Sequence, residues 1–247
     1  MPTSSPAPRL ATEVLNVAPA CANASHVRVD LKRPEGFRHG PGQVVELARA
    51  GGAPSYYALA SAPGEASLTL LIRADTGAPP FSVGEVVTLA GPWGAGFTAC
   101  GDGAHPERLV LCAIGSAVGA VRSAWREALA AGLDATRLEL RLGVRAADAL
   151  PFHDELADLA AAGAAVTVAL SRGAEPNTEG PGHAVRFVSG RVQSTLIAAP
   201  LRAARGCAAR LAGNPEAEDA MTTALLAAGV ELGAIERNYS PDQRAAR

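Results

Sequence analysis

Short segments of alternating apolar and polar residues fill the first hundred positions of the chain. Four of these segments predict β-strands: 26–31, 43–48, 67–73 and 85–90. Turns rich in glycine and proline separate them. Closely spaced short strands of this kind are typical of an antiparallel barrel or sandwich. We therefore predict a small antiparallel β-barrel over 12–101, preceded by a disordered tail over 1–11.

The pattern changes after position 101. An almost continuous apolar run over 108–114 predicts a strand that is covered on both faces. The next segment predicts a helix with one apolar stripe, formed by Val121, Trp125 and Leu129. Its charged residues are expected to lie off that stripe: Arg122, Arg126 and Glu127.

Strands and helices then alternate towards the end of the chain. Further strands are predicted at 137–144, 165–170 and 208–211, and further helices at 154–162 and 192–199. A last helix has Asn214 as its N-cap, Pro215 at its first position and Gly229 at its end. This alternation predicts an α/β domain with an open parallel sheet over 102–247.

Composition excludes several classes of function. A hydrophobic fraction of 48% over 247 residues is far too high for a disordered chain. A net charge of −2 does not indicate the basic surface that binding of nucleic acid requires. Since no apolar run approaches the roughly 20 residues that cross a bilayer, we expect no membrane span. Scattered cysteines in a chain without a secretory leader favour the reducing cytoplasm. For the oligomeric state, the sequence is compatible with a monomer and with a homodimer.

Candidate chemistry lies where the strands of the α/β domain end. Ligands of open α/β sheets bind beyond the carboxyl ends of the strands. After the first such strand, Gly115 and Gly119 would let the backbone approach a pyrophosphate, and Ser116, next to Ala117, offers a hydroxyl. The order is not G-x-G-x-x-G, so a simple turn is an equal alternative.

Three further strand ends carry small, polar or cationic residues. They are Gly143 and Arg145, then Ser171 and Arg172, and finally Gly213, Asn214 and Pro215. One such loop means little, but several in order along one sheet edge predict a phosphate-rich ligand that lies across them.

A barrel followed by an α/β domain with these loops resembles the ferredoxin–NADP reductase superfamily, in particular its compact two-domain members without an iron–sulfur module. The resemblance rests on the segments 41–43, 56–61, 91–97, 115–120, 213–215 and 236–239. It implies that the barrel holds FAD, or FMN, and that the α/β domain holds NAD(P)H. The implied function is a flavin-dependent NAD(P)H oxidoreductase, which passes hydride from nicotinamide to flavin and electrons on to an unidentified acceptor.

The resemblance also implies a flavin site along residues 55–61, on the superfamily pattern R-x-Y-[ST]-x-x-S. Tyr57 fits the tyrosine that stacks on the flavin ring, and Ser61 fits the last position. Ser55 stands in place of the arginine that pairs with the flavin phosphate, and Ala58 in place of the hydroxyl residue. Losing that arginine removes a contact of roughly 1.5–3 kcal/mol.

Other parts of the implied flavin site differ too. The glycine-serine loop of the superfamily falls near Gly77, where no serine is present. Arg73, which follows Ile72, is a possible substitute for the missing arginine. Tyr56 and Leu59 complete the implied cofactor-binding stretch. The alternative for the two tyrosines is that they cap the barrel core.

For the nicotinamide side, the G-T-G-x-A-P loop of the superfamily corresponds to 115–120, and Ser116 keeps the hydroxyl that lies near the nicotinamide. Ala212 replaces a frequent cysteine. Ser171 and Arg172 resemble the pair that engages the 2′-phosphate of NADPH, with a solvated loop as the alternative. Tyr239 either stacks on the flavin or ends the last strand.

The departures at Ser55, Ala58 and 79–80 motivate a rival hypothesis. The chain would then be a reductase-like binding or regulatory module that has lost its flavin. A hydrolase with Ser116 as nucleophile is disfavoured, because the serine does not lie in G-x-S-x-G.

Overall fold

The structure is a computed structural model that describes residues 9–74, 81–100, 105–172, 185–198, 201 and 206–238. Two six-stranded sheets form its framework, one antiparallel and one parallel. Gly77, Tyr239, the segment 79–80 and the predicted domain boundary at 101/102 lie outside the described residues.

The N-terminal sheet is antiparallel. Its strands are β1 (Arg9–Pro19), β2 (His26–Lys32), β3 (Val44–Ala48), β4 (Ser55–Ala58), β5 (Ser67–Arg73) and β6 (Val86–Trp93). They follow the order β4-β3-β6-β1-β2-β5. A bridge between Leu59 and Leu70 brings the two edge strands together, so the sheet curls into a barrel around an apolar core. This arrangement confirms the predicted antiparallel barrel.

The start of the barrel differs from the prediction. Strand β1 begins at Arg9, and residues 9–11 pair with residues 88–90 of β6. The assignment of 9–11 to a disordered tail is therefore wrong. Alternate residues of β1 such as Thr12 and Val14 are buried, because this face of the strand points towards the barrel interior.

The C-terminal sheet is entirely parallel. Its elements are β7 (Arg108–Ile114), α1 (Val118–Ala130), β8 (Leu138–Val144), α2 (His153–Ala161), β9 (Ala165–Leu170), β10 (Arg186–Ser189), α3 (Val192–Ala198), β11 (Cys207–Ala212), α4 (Pro215–Ala227) and β12 (Ile235–Arg237). The predicted open parallel sheet is confirmed. Pattern analysis missed β10 and β12, which are four and three residues long and carry no apolar run.

The strand order creates a switch point in this sheet. The order is β10-β9-β8-β7-β11-β12, so the chain moves outward from β7 in one direction and returns to its other side with β11. Ligands of open α/β sheets bind in the crevice beside such a reversal. The loops after β7 and β11 are therefore the two that flank the expected binding crevice.

Helix α1 joins the two halves of the molecule. Arg122, predicted to lie off the apolar stripe, is only 2% exposed. Its Nε and Nη2 donate to the Glu155 carboxylate at 2.9 and 2.6 Å, and its Nη1 donates to the carbonyl of Ala60 in the barrel at 2.7 Å. Arg122 is buried although it lies off the apolar stripe, because α1 packs on the sheet with one face and on the barrel with another. One apolar cluster accordingly includes residues of both halves, among them Leu71 and Trp125.

Asp30 of β2 makes barrel stability depend on pH. Burial raises the pKa of its carboxyl, but hydrogen bonds from Thr69, Arg28 and Asn16 outweigh burial and hold the pKa below its usual 3.8. Such a carboxylate stabilises the fold above its unfolded pKa, and the contribution is lost as the pH falls. We expect Asp30→Asn to lower the free energy of unfolding by about 1–3 kcal/mol near pH 7. Urea unfolding should show this difference shrinking below about pH 4. An equal difference at both pH values would contradict the prediction.

Candidate active site

A cleft of about 560 Å³ separates the barrel from the carboxyl edge of the parallel sheet. Its volume lies within the range of small-molecule and cofactor sites. Most of the residues that sequence reasoning proposed for cofactor binding line it together: Tyr56, Tyr57, Ala58, Arg73, Gly115, Ser116, Ala117, Arg145, Gly213 and Asn214. The fold thus brings the end of barrel strand β4 opposite the two loops at the switch point.

Other proposed residues do not line the cleft. Leu59 and Ile72 belong to the barrel core, and Ser61 is fully buried, with its Oγ accepting a hydrogen bond from the Thr69 N–H at 3.1 Å. These three side chains therefore point into the protein and away from the cleft. The remaining ones lie at or near strand ends without lining it: Ser55, Gly143, Ser171, Arg172 and Pro215.

Two neighbouring tyrosines form the barrel wall of the cleft. Tyr56 is 52% exposed, and its hydroxyl donates to Glu46 Oε2 at 2.9 Å. Tyr57 is half-buried and packs against the barrel core. Because successive residues of a strand face opposite sides, the core supports the ring of Tyr57 while Tyr56 projects towards solvent. Tyr57 is thus the aromatic ring at the cleft that the barrel core holds in place.

The loop after β7 forms the opposite wall. Residues Gly115–Ala117 make one 3₁₀ turn, in which Gly115 has φ of +53° and open space where a side chain would lie. This conformation favours glycine. Helix α1 begins directly after the turn, with no side-chain cap among the described residues. Its first N–H groups create a local field that favours anions.

Gly119 also has a packing role. A Cβ atom at this position would lie 3.1 Å from Leu71 Cβ and 3.4 Å from Ala60 Cβ. The glycine thus permits close packing of α1 on the barrel.

The loop after β11 is held by its own helix. Asn214 Oδ1 accepts a hydrogen bond from the Ala217 N–H at 2.8 Å, which confirms it as the N-cap of α4. Glu218, which is fully buried, accepts one from the Gly213 N–H at 3.3 Å. The backbone of this loop is therefore positioned before any ligand binds.

One end of the cleft is polar and cationic. His26 and Arg73 are register partners on β2 and β5, and Ser25 Oγ lies 3.2 Å from His26 Nδ1. Sequence reasoning missed Ser25 and His26. The antiparallel pairing of β2 with β5 was the available signal, since it places the β1–β2 turn at the same barrel end as Arg73.

Asn238 is a second residue that sequence reasoning did not single out. It follows β12, lines the cleft, and donates its backbone N–H to the Leu211 carbonyl at 2.8 Å. Its Oδ1 is shielded from solvent and has no hydrogen-bond partner among the described residues. A buried amide oxygen without a donor is unfavourable by about 1–3 kcal/mol, so this atom fits a ligand that brings an N–H group.

No family model and no curated protein matches the chain, but solved structures do. A cytochrome P450 reductase from Amycolatopsis is 25% identical with a TM-score of 0.77, over 94% of this chain and 70% of that one. A ferredoxin NADP⁺ reductase from Neisseria gonorrhoeae, with bound FAD and NADP, is 18% identical with a TM-score of 0.71, over 94% and 99%. The chain adopts the ferredoxin reductase-like fold.

A third structure of similar fold is the FAD/NAD-binding domain of a nitric oxide dioxygenase from Vibrio cholerae. It is 18% identical with a TM-score of 0.72, over 92% of this chain and 96% of that one. The fold class and the superfamily resemblance predicted from the sequence are thereby confirmed. No helix among the described residues of this ferredoxin reductase-like chain is long and apolar enough to cross a membrane.

Proposed function

We propose that this protein is a flavin-dependent NAD(P)H oxidoreductase. The observation that carries the proposal is the open cleft at the switch point of the parallel sheet, with two tyrosines of the barrel on its other side. Similar folds in solved structures bind FAD together with NADP, which supports the same pair of cofactors here. FMN is the smaller alternative for the flavin.

The residues of the cleft fit these two groups. Tyr57 and Ala58 would border the flavin ring, and Arg73, with the polar turn at Ser25 and His26, would hold flavin phosphate. A cation at this place is chemically suited to a phosphate, because charge-assisted hydrogen bonds are the stronger kind. Arg73 thereby takes the role that the superfamily pattern assigns to the arginine replaced by Ser55.

On the sheet side, Gly115–Ala117 and Gly213–Asn214 would hold the nicotinamide nucleotide. A bound flavin would supply the hydride-accepting, two-electron chemistry. The protein then has three tasks: to bind both groups, to keep their rings in contact, and to exclude water. The prepositioned loops after β7 and β11 are suited to the second task.

A preference for NADPH is part of the proposal. Ser171 and Arg172 follow β9 and are both exposed. Their backbone N–H groups donate to the carbonyls of Val144 and Arg145 at 2.9 and 2.8 Å, so the loops after β8 and β9 lie side by side. A 2′-phosphate would meet Arg145 and Arg172 at this place.

The fold of a cytochrome P450 reductase supports another protein as one class of electron acceptor. We also propose a reducing compartment, since the four cysteines are buried and free.

Binding of flavin tests the proposal. Purified protein is mixed with FAD or FMN, freed of unbound flavin by gel filtration, and examined by absorbance. We expect the oxidised-flavin spectrum to elute with the protein. A protein that stays colourless after both additions would contradict the proposal and favour the flavin-less binding module.

Tyr57 provides a residue-level prediction. We expect Tyr57→Ala to raise the flavin dissociation constant about 2- to 12-fold, the effect of roughly 0.5–1.5 kcal/mol for an aromatic contact. Tyr57→Phe keeps the ring and should bind flavin as the wild type does. Flavin fluorescence titration measures both. Unchanged affinity of Tyr57→Ala would show that this ring does not contact the flavin.

A further inference from the structure

We propose that Asn238 recognises the carboxamide group of the nicotinamide, with its Oδ1 accepting a hydrogen bond from the carboxamide N–H. The inference rests on the proposed function and adds the contact that distinguishes nicotinamide from other planar rings. Three observations carry it: where the residue lies, how its backbone is held, and which polar atom is left without a partner.

The first observation is location. Asn238 lies at the carboxyl end of the sheet, where its backbone N–H continues the ladder of β12 by donating to Leu211. Gly213 and Asn214 follow β11 next to it, and Ser116 follows β7, the strand on the other side of β11. All four line the same cleft. Asn238 is thus placed where a ring entering at the switch point would lie.

The second observation is how the segment before Asn238 is held. Glu236 Oε2 accepts a hydrogen bond from the Thr98 N–H on the barrel side at 2.9 Å. Arg237 donates to Asp219 of α4 at 2.6 Å. Since side chains of a strand alternate, Asn238 is directed to the same side as Glu236, towards the barrel and the cleft. Its amide is therefore presented by an anchored backbone.

The third observation is the free acceptor. Three asparagines line the cleft, and two of them use their Oδ1 atoms within the protein: Asn23 accepts from the Ser25 N–H, and Asn214 caps α4. Asn238 Oδ1 is the one without a partner among the described residues. A primary carboxamide brings an N–H donor and is planar, as is the asparagine amide. The match satisfies an atom that folding leaves unsatisfied.

Equilibrium binding without turnover tests this contact. The probes are NADP⁺ or NAD⁺ and its 3-acetylpyridine analogue, in which a methyl group replaces the carboxamide amino group. Dissociation constants are measured by calorimetry on the flavin-loaded protein. We expect the wild type to prefer the carboxamide about 2- to 12-fold, the range of one neutral hydrogen bond.

Variants of Asn238 test whether this residue is the source of the preference for the carboxamide. Asn238→Leu, which is close in size and has no acceptor, should bind both probes equally, whereas Asn238→Asp keeps acceptor oxygens and should still prefer the carboxamide. Asn16→Leu, the same change on β1, is the control: it removes a hydrogen bond to Asp30 in the barrel but no group that lines the cleft, and it should discriminate as the wild type does. Melting curves and the flavin spectrum report whether each variant is folded.

The possible results distinguish a failure of the Asn238 assignment from a failure of the proposed function. If Asn238→Leu keeps the preference for the carboxamide, or if it loses flavin affinity instead, the assignment of Asn238 is wrong while the proposed function stands. If the wild type binds neither flavin nor dinucleotide, the proposed function fails and the inference fails with it.

Discussion

Replacing Arg122 by alanine should destabilise the protein by about 2–4 kcal/mol, towards the range for a broken buried ion pair, because it removes the buried partner of a carboxylate that is itself 28% exposed. Arg122 is 2% exposed, and its guanidinium joins Glu155 to the Ala60 carbonyl and lies 4.7 Å from the centre of the Phe152 ring. Without it, a barrel carbonyl loses its donor, and the Glu155 carboxylate keeps only its longer contact to Arg126 at 3.5 Å. Urea unfolding, monitored by tryptophan fluorescence, measures the change in the free energy of unfolding.

Arg126 is the matched control. It lies one helical turn away, and it too contacts Glu155, with an additional ion pair to Glu65, but its side chain is 39% exposed. Exposed pairs contribute about 0–1 kcal/mol, so Arg126→Ala should have a small effect. Equal losses for the two variants would show that Arg122 is no more important than a surface arginine. The double variant Arg122→Met with Glu155→Leu should recover part of the stability, since it removes both charges.

Replacing Arg73 by alanine should weaken flavin binding at least tenfold. A hydrogen bond to a charged group contributes roughly 1.5–3 kcal/mol, which corresponds to about 10- to 150-fold in the dissociation constant. The expected reason is the loss of the phosphate contact at the polar end of the cleft, where Arg73 lies beside His26. Arg73→Lys keeps the positive charge but lacks the planar guanidinium that can donate two hydrogen bonds to one phosphate. It should therefore recover only part of the flavin affinity. Fluorescence titration with FAD provides the measurement.

Arg28 is the control for this experiment. It lies on β2, next to β5, and its Nε donates to Asp30 at 2.9 Å, outside the cleft. Arg28→Ala should therefore leave flavin affinity unchanged. If both variants bind flavin equally well, Arg73 does not hold the phosphate, and another group must compensate for Ser55.

Much of the fold could be predicted from local pattern. The run over 108–114 coincides with β7 because a strand buried on both faces must be apolar throughout. Asn214 and Pro215 marked the start of α4 because capping chemistry is local. Four strands were missed: β1, β4, β10 and β12. For β10 and β12, four or three residues hold too little periodicity, and their pairing depends on β9 and β11.

The site was harder to predict, because contacts between the two halves leave no local pattern. Arg122 lies off the apolar stripe of α1, a position that is usually exposed on a helix, and it is buried only because α1 packs against the barrel. Gly119 follows a strand as a phosphate-binding glycine would, yet its neighbours are Leu71 and Ala60. Asn238 stands out through an unsatisfied atom, which is visible only once the strands around it are in place.

The central claim is that the cleft holds a reducing nucleotide against a flavin. Anaerobic addition of NADPH, or of NADH, to the flavin-loaded protein tests it most directly. We predict that the visible absorbance of the oxidised flavin is bleached, faster with NADPH, and that it returns when air is admitted. A protein that binds flavin but keeps its full oxidised spectrum with both nucleotides would contradict the account.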